Sequence, residues 1–223
     1  TFAWFTDSVT SGRNTIQSGN LDVELYFAAK ADAADSEWQK VDGRTDIFGY
    51  NNWEPGYTKV VYFKIVNNGS LALKYQLTAD VYSEKQGTNK EGVKFSLSDY
   101  LYSEVVAADA TRESILASTT GVKVKDTLAV KDVGYLEKGK SEIIGFAIWM
   151  PTTVDNVANH NGEAPMIDLG INLLATQKMS EGDSFGNDYD KNAEYAAVVY
   201  DAAGLANALT LGGKVNFATT EGR

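Results

Sequence analysis

The chain has 223 residues, no cysteine and one histidine, and its 20 basic and 30 acidic side chains give a formal net charge of −10. The absence of cysteine excludes disulfides, zinc fingers, iron–sulfur clusters and cysteine nucleophiles. The acidic balance argues against duplex nucleic acid and anionic membrane surfaces as partners, and no apolar run reaches the roughly 18 residues of a membrane span.

An aromatic segment opens the chain, with the sequence Thr1-Phe2-Ala3-Trp4-Phe5-Thr6. Large aromatic side chains this closely spaced are not expected to remain in water. The residues alone leave two alternatives: a first strand within the domain's own sheet, or a strand added to a neighbouring subunit. In either case each aromatic side chain contributes roughly 2–3 kcal/mol on full burial.

Aromatic and β-branched residues dominate the next part of the chain, and clusters of Gly, Asn and Asp interrupt them. This composition is typical of an all-β sandwich or barrel. Residues 30–50 are polar and irregular, and they are predicted to form a loop. Outside the centre of the chain, strands are predicted at Leu21–Ala28, Val122–Leu128, Ser141–Met150 and Met166–Ala175.

The clearest predicted element is a central β-hairpin. Residues 59–66 and 71–81 flank Asn68-Gly69, a dipeptide that suits a type I′ turn. Pro55-Gly56 predicts a type II turn that feeds the first of these strands. In the second strand apolar and polar residues alternate, so one face is expected to be buried; the apolar members are Leu71, Leu73, Tyr75, Leu77 and Ala79.

One short helix and a change of composition mark the rest of the chain. The helix is predicted within residues 109–118, capped at Asp109 or Thr111, with Ile115 and Leu116 on its apolar side. Residues 181–192 are predicted to be a linker, and 193–223 a C-terminal extension that begins a further module.

Several blocks of sequence resemble the TasA/camelysin family of secreted proteins of Gram-positive bacteria and their relatives. The first pair is Ala3-Trp4-Phe5-Thr6-Asp7 with Asn14-Thr15-Ile16-Gln17-Ser18-Gly19-Asn20-Leu21-Asp22-Val23. The second is Trp53-Glu54-Pro55-Gly56 followed by Asn67-Asn68-Gly69-Ser70-Leu71-Ala72. Asp168-Leu169-Gly170-Ile171-Asn172-Leu173-Leu174 resembles the last core strand of the family, and the resemblance covers residues 1 to about 190.

The resemblance implies a jelly-roll-like antiparallel β-sandwich over residues 11–180 with one short inserted helix. It also implies secretion after cleavage by a dedicated signal peptidase, and assembly into extracellular fibres of a biofilm matrix. In such fibres each subunit donates its N-terminal strand to the next, so the partner is the chain itself, with other matrix or cell-surface components as further candidates. By match of position the donor strand is residues 1–10, with Phe2, Ala3, Trp4 and Phe5 at the subunit interface.

The groove that accepts the donated strand is predicted from the central hairpin. Its apolar face is expected to line part of that groove in the next subunit. The predicted acceptor residues are Val61, Phe63, Leu73, Tyr75 and Leu77.

A peptidase label attached to some members of the family finds no support in these residues. Zincins and serine triads need histidines in defined contexts, and His160 stands alone in a turn-like loop. Glu24, Glu54 and Asp168 are the candidates for a histidine-free carboxylate pair, but the sequence does not set their separation.

Asp188 and Asp190 begin like a calcium loop whose glycine and bidentate glutamate are missing, so a looser calcium site stays open. We predict no catalytic residue, no metal site and no cofactor.

A second function class stays open beside the fibre subunit. A carbohydrate-binding β-sandwich of a surface protein presents aromatic rings from its loops, and this chain places four aromatic residues in or near predicted loops. Packing in a core or an interface is the commoner fate of such residues. The four are Trp38, Tyr50, Trp53 and Tyr57.

Overall fold

The computed structural model describes residues 13–49, 51–126 and 128–178. The chain divides after Ser180, and all described residues lie before this division. The predicted donor strand 1–10, linker 181–192 and extension 193–223 therefore lie outside the described residues.

The described part of the chain contains twelve strands and one α-helix. No helix in these residues is both long and apolar enough to cross a membrane. The helix is α1, Arg112–Leu116. The strands are β1 (Thr15–Gln17), β2 (Val23–Ala28), β3 (Gln39–Lys40), β4 (Thr58–Asn67), β5 (Leu73–Lys85), β6 (Gly87–Thr88), β7 (Lys94–Phe95), β8 (Tyr102–Val106), β9 (Val122–Lys123), β10 (Leu128–Leu136), β11 (Ser141–Trp149) and β12 (Met166–Gln177).

Two sheets face each other and form a jelly-roll-like β-sandwich, as predicted. The four-stranded sheet has the order β1-β12-β5-β10, and the six-stranded sheet has the order β3-β2-β4-β11-β8-β9. β6 and β7 pair separately. Neighbouring strands are antiparallel except for β1, which lies parallel to β12.

The core lies between the two sheets and is filled by the inward residues of each. Phe48 packs edge-on against Phe63 and Phe146, with ring centroids 6.3 and 6.2 Å away. The loop predicted over residues 30–50 therefore does more than connect strands, because Val41, Ile47 and Phe48 are part of the core. Buried anchors of this kind fix the long excursion between β2 and β4 on the body of the sandwich.

The central hairpin was predicted wrongly, although both of its strands exist. β4 pairs with β2 and β11 in the six-stranded sheet, whereas β5 pairs with β10 and β12 in the four-stranded sheet. Gly69 lacks the positive φ that a type I′ turn requires. The segment at residues 68–72 is thus a crossing from one sheet to the other.

Other local predictions are confirmed. The backbone N–H of Tyr57 donates to the carbonyl of Glu54 at 2.9 Å, and Gly56 between them has a φ of 85°, as a type II turn requires. Thr111 caps α1 by accepting a hydrogen bond from the Ser114 N–H. Along β5 the predicted alternation holds from Leu73 onward, but Leu71 precedes the strand and is exposed.

The two strands that directly follow α1, β9 and β10, were predicted less well. The stretch predicted as a single strand from Val122 to Leu128 contains the short β9, a turn, and the first residue of β10. β10 itself was missed because two register shifts interrupt it, between Ala129 and Lys131 and between Lys131 and Gly134. Such irregularities break the two-residue period on which strand prediction depends.

Asn67, at the end of β4, holds two sheet crossings side by side. Its side chain is buried and donates to the carbonyl of Leu71 at 2.8 Å and to those of Leu136 and Glu137 at 3.2 and 3.3 Å. Its Oδ1 accepts the Gly69 N–H at 3.0 Å. One amide thus binds the β4–β5 crossing and the end of β10 that leads to β11.

We expect Asn67→Ala to lower the free energy of unfolding by about 2–4 kcal/mol, because it leaves several buried backbone groups without a partner. Urea unfolding followed by tryptophan fluorescence measures the change. Asn68→Ala is the matched control: Asn68 is exposed and makes one side-chain hydrogen bond, to Glu24 at 2.8 Å. A loss in Asn67→Ala no larger than in this control would contradict the proposed role.

Candidate functional site: the edges of the four-stranded sheet

The N-terminal arm, defined here as residues 1–12, includes the predicted donor residues and lies outside the described part of the chain. The described chain begins at Arg13, whose guanidinium lies 2.7 Å from the Asp46 carboxylate and 3.6 Å from that of Asp168. Asp168 is on β12 and Asp46 lies in the loop before β4, so the two ion pairs hold Arg13, the root of the arm, against both the strand and the loop.

Asn14 fixes the next step of the chain. Its buried side chain donates to the carbonyls of Asp42 and Thr45 at 2.9 and 2.7 Å, and it accepts the backbone N–H of Ile171 at 3.1 Å. A buried amide with all of these partners ties the arm's root to both β12 and the loop before β4.

Gly170 permits this close approach. A Cβ at this position would lie 1.9 Å from the carbonyl oxygen of Arg13. An isolated glycine in a strand pattern often marks such an approach, so the sequence did contain a signal for it. β1 then continues along the outer edge of β12, pairing Thr15 with Asn172 and Gln17 with Leu174.

The predicted acceptor residues lie elsewhere. The structure places Val61 and Phe63 on β4, and Leu73, Tyr75 and Leu77 on β5, with all five buried in the core between the two sheets. β4 and β5 belong to different sheets, so these residues face each other across the sandwich. None of the five presents an accessible apolar face on the surface of the described body.

A cleft does open at the opposite edge of the four-stranded sheet, between β10 on one side and β8 and β11 on the other. We call this cleft the seam. It has a volume of about 270 Å³. Its apolar lining includes Val105, Val106, Val130, Ile143 and Ile144.

Val105 shows why the seam is open. It pairs with Phe146 of β11, and residues directly opposite each other in a sheet share a face. Phe146 is buried in the core, but Val105 is 44% exposed. β9 pairs with β8 only at Tyr102 and Ser103, so from Glu104 to Val106 the edge of β8 that faces away from β11 has no strand partner within the described residues. A residue on the core-facing side is therefore accessible from outside.

A polar cluster bridges the two sheets beside the seam. The buried Tyr75 hydroxyl donates to the Glu142 carboxylate, which also accepts from Lys131 at 2.8 Å. Burial, and then the hydrogen bond to Glu142, raise the pKa of Tyr75 far above its usual value. The ring lies against Gly134, where a Cβ would come within 2.2 Å of it. This cluster is neutralised and satisfied, so we assign it to fixing β10 on β11.

The three candidate carboxylates are not brought together. Glu24 is on the six-stranded sheet and accepts from Tyr26 at 2.6 Å, from Asn68 and from Lys40. Asp168 is on the four-stranded sheet with Arg13 and Ser83, and Glu54 lies in the turn before β4. His160 is exposed in a loop. Within the described residues no group of three His, Cys, Asp or Glu side chains is placed to hold a metal ion.

The aromatic residues predicted in or near loops differ in their burial and their contacts. Trp38 is buried against Ala28 and Tyr62, and its indole N–H donates to the carbonyl of Ala33 at 3.1 Å. Trp53 and Tyr57 are half-buried and pack edge-on, with ring centroids 5.3 Å apart. Tyr50 lies outside the described residues. Trp38 is thus a packing residue, whereas Trp53 stays accessible.

Comparisons with known proteins identify no family. No family model matches the chain, and no curated protein matches it. Among solved structures it is similar to the ASH / PapD-like domain of human CEP192 (PapD-like domain 7), at 11% identity over 81% of this chain and 97% of that chain, with a TM-score of 0.24. A similarity of this size indicates neither a family nor a function.

We expect Gly170→Ala to displace β1 from β12, because the added methyl group overlaps the Arg13 carbonyl. Amide hydrogen exchange should then accelerate at residues 14–17, while the centre of β5 stays protected. Thr176→Ala, on the same strand and the same face, is the control and should leave exchange at β1 unchanged. Equal protection of β1 in Gly170→Ala and the wild type would contradict this close approach.

The Glu24 cluster predicts a pH dependence of stability. The hydrogen bond from Lys40, and then that from Tyr26, lower the pKa of Glu24 from its ordinary value of 4.5. A lowered carboxyl pKa stabilises the folded state above the unfolded value, and this contribution is lost as the pH falls through the folded value. The stability should therefore fall less between pH 7 and pH 3 in Glu24→Gln than in the wild type.

Urea midpoints at the two pH values measure this difference. Glu91→Gln removes an exposed carboxylate whose side chain has no partner among the described residues, and it serves as the control. An identical acid loss in Glu24→Gln and the wild type would show that the cluster does not contribute.

Proposed function

We propose that this protein is the structural subunit of an extracellular fibre, and that it polymerises head-to-tail by donating its N-terminal arm to the seam of the next subunit. The observation that carries the proposal is the accessibility of Val105, a core-facing residue of β8 that the described part of the chain leaves 44% exposed. The aromatic sequence of the arm and the resemblance to secreted matrix proteins supply the donor.

The position of the arm's root supports a polymer. Arg13 and β1 lie at one edge of the four-stranded sheet, and β10 beside the seam is the other edge. Donor and acceptor are therefore different surfaces of the same subunit. A contact between two different surfaces is heterologous, and it builds a filament wherever the rotation between subunits does not close a ring.

The chemistry of the seam supports an extended apolar occupant. The unpaired edge of β8 supplies backbone hydrogen-bond donors and acceptors, and Val105 and Ile143 supply apolar surface. Strand addition uses both kinds of contact, since backbone bonds give affinity and side-chain pockets give register. In an extended arm Phe2 and Trp4 would share one face and Phe5 would lie on the other, so large apolar side chains are available on both faces.

The length of the arm supports a reach to a second copy. Twelve extended residues span at most about 40 Å. Inserting the first six leaves about 20 Å of chain between the seam of one subunit and Arg13 of the next.

We expect deletion of residues 1–10 to give a folded monomer that does not form filaments. We expect Val105→Glu to stop filament growth as well, because the carboxylate would be buried among apolar side chains. Negative-stain electron microscopy measures filaments, and thermal unfolding confirms the fold. Val122→Glu is the matched control: Val122 is also exposed but lies on β9 and does not line the seam.

A mixture of the two variants separates donor from acceptor. The deletion variant retains its seam, and Val105→Glu retains its arm, so the two together should form a one-to-one heterodimer by light scattering. Filaments from the deletion variant would overturn strand donation. Filaments from Val105→Glu, with none from the deletion variant, would move the acceptor to another edge.

A further inference from the structure

Two adjoining clefts lie at the end of the sandwich where β4 begins and β11 ends. Each has a volume of about 370 Å³, and Val154 lines both. One cleft, here called the tryptophan cleft, is lined by Met150 and by residues 52–55, 154–156 and 158–160. The other, the tyrosine cleft, is formed around Tyr100 and Tyr102. The two clefts meet at Val154, and neither shares a lining residue with the seam.

The tryptophan cleft combines an aromatic ring with unpaired polar groups. Trp53 is half-buried and held edge-on by Tyr57 at 5.3 Å, so its ring is fixed in orientation. Its indole N–H has no hydrogen-bond partner among the described residues, in contrast to that of Trp38. The side chains of Asn52, Glu54 and His160 line the same cleft, and none of them has a partner in the described part of the chain.

The tyrosine cleft has the same character. Tyr102 stacks on the buried Trp149, with centroids 6.2 Å apart and an interplanar angle of 28°. Tyr100 packs edge-on against Phe95 at 6.3 Å. Both tyrosines are half-buried, and neither hydroxyl has a hydrogen-bond partner within residues 13–49, 51–126 and 128–178. Their rings are held by packing while their polar ends remain available.

This combination fits a saccharide. A sugar ring presents an apolar C–H face that packs on an aromatic ring, and it carries hydroxyls that pair with amides, carboxylates and phenols. A few fixed polar groups around an aromatic surface are what orient a small ligand. Two such surfaces on either side of Val154 suit successive rings of one linear chain.

The charges around the clefts select the class of saccharide. Glu54 and Asp155 line the tryptophan cleft, and Asp99 and Lys123 line the tyrosine cleft. With a net charge of −10 on the whole chain, an anionic polymer is repelled. A peptide is disfavoured at the tryptophan cleft because loops form nearly all of its wall, and they offer no strand edge for backbone pairing.

We propose that the two clefts bind a linear neutral polysaccharide, with one ring against Trp53 and further rings against Tyr100 and Tyr102. This site does not depend on polymerisation of the protein. In a fibre it would give each subunit a contact with a carbohydrate matrix.

Calorimetric titration of the full chain with cellohexaose, maltohexaose and mannohexaose tests the proposal, with oligogalacturonate as the anionic comparison. We expect at least one neutral hexasaccharide to bind. Trp53→Ala should weaken that binding at least about tenfold, since a stacked aromatic contact of about 1.4 kcal/mol corresponds to a factor of ten. Tyr100→Phe with Tyr102→Phe removes only hydroxyls and should weaken it about two- to tenfold.

Trp38→Phe is the control, because it alters a tryptophan that does not line either cleft, and it should leave binding unchanged. If Trp53→Ala fails to fold, Asn52→Ala with Glu54→Gln tests the same cleft through exposed side chains. Absence of binding to every neutral hexasaccharide at millimolar concentration would overturn the proposal. Preference for oligogalacturonate, or equal binding by the cleft variants and the wild type, would overturn it as well.

Discussion

A sheet of four strands cannot cover the inner face of a sheet of six, and this mismatch governs the surface of the molecule. Strands in a sheet are about 4.8 Å apart, so each uncovered strand leaves a strip of core-facing surface. At the β2 end the loop that carries Val41 and Phe48 supplies part of the missing cover. At the β8 end the described residues provide no equivalent, and Val105 stays accessible.

The edge strands on this side of the sandwich, β10 and β8, have features that disfavour pairing with strands of other chains. β10 shifts its register twice and directs Lys131 toward Glu142. Bulges and inward charges are devices by which proteins protect an edge strand from aggregation. The uncovered part of β8 is short, from Glu104 to Val106. The proposed donor strand, with its large aromatic side chains, would bury more apolar surface at such a site than a random peptide would.

At the opposite edge of the four-stranded sheet, β1 covers β12. Arg13, Asn14 and Gly170 fix the chain on β12 through one ion pair, a buried amide and a close backbone approach, and a second ion pair ties Arg13 to the loop before β4. The first described residues are therefore tied to β12, which pairs along its length with β5. This arrangement suits a subunit that is held at both edges of one sheet. It also leaves the loop end of the sandwich, with Trp53 and Tyr100, free for a different ligand.

The sequence by itself determined the all-β class, the strands β2, β4, β5, β11 and β12, the Pro55-Gly56 turn and the capped helix α1. These follow from periods of two residues, turn chemistry and capping, all of which act within a few residues. Only the tertiary structure decided that β4 and β5 belong to different sheets, because alternation shows which face is buried and not which strand lies alongside. The tertiary structure also places in the core the five residues that were predicted to line a groove, Val61, Phe63, Leu73, Tyr75 and Leu77. The accessibility of Val105 likewise depends on the tertiary structure, because β9 pairs with β8 only at Tyr102 and Ser103.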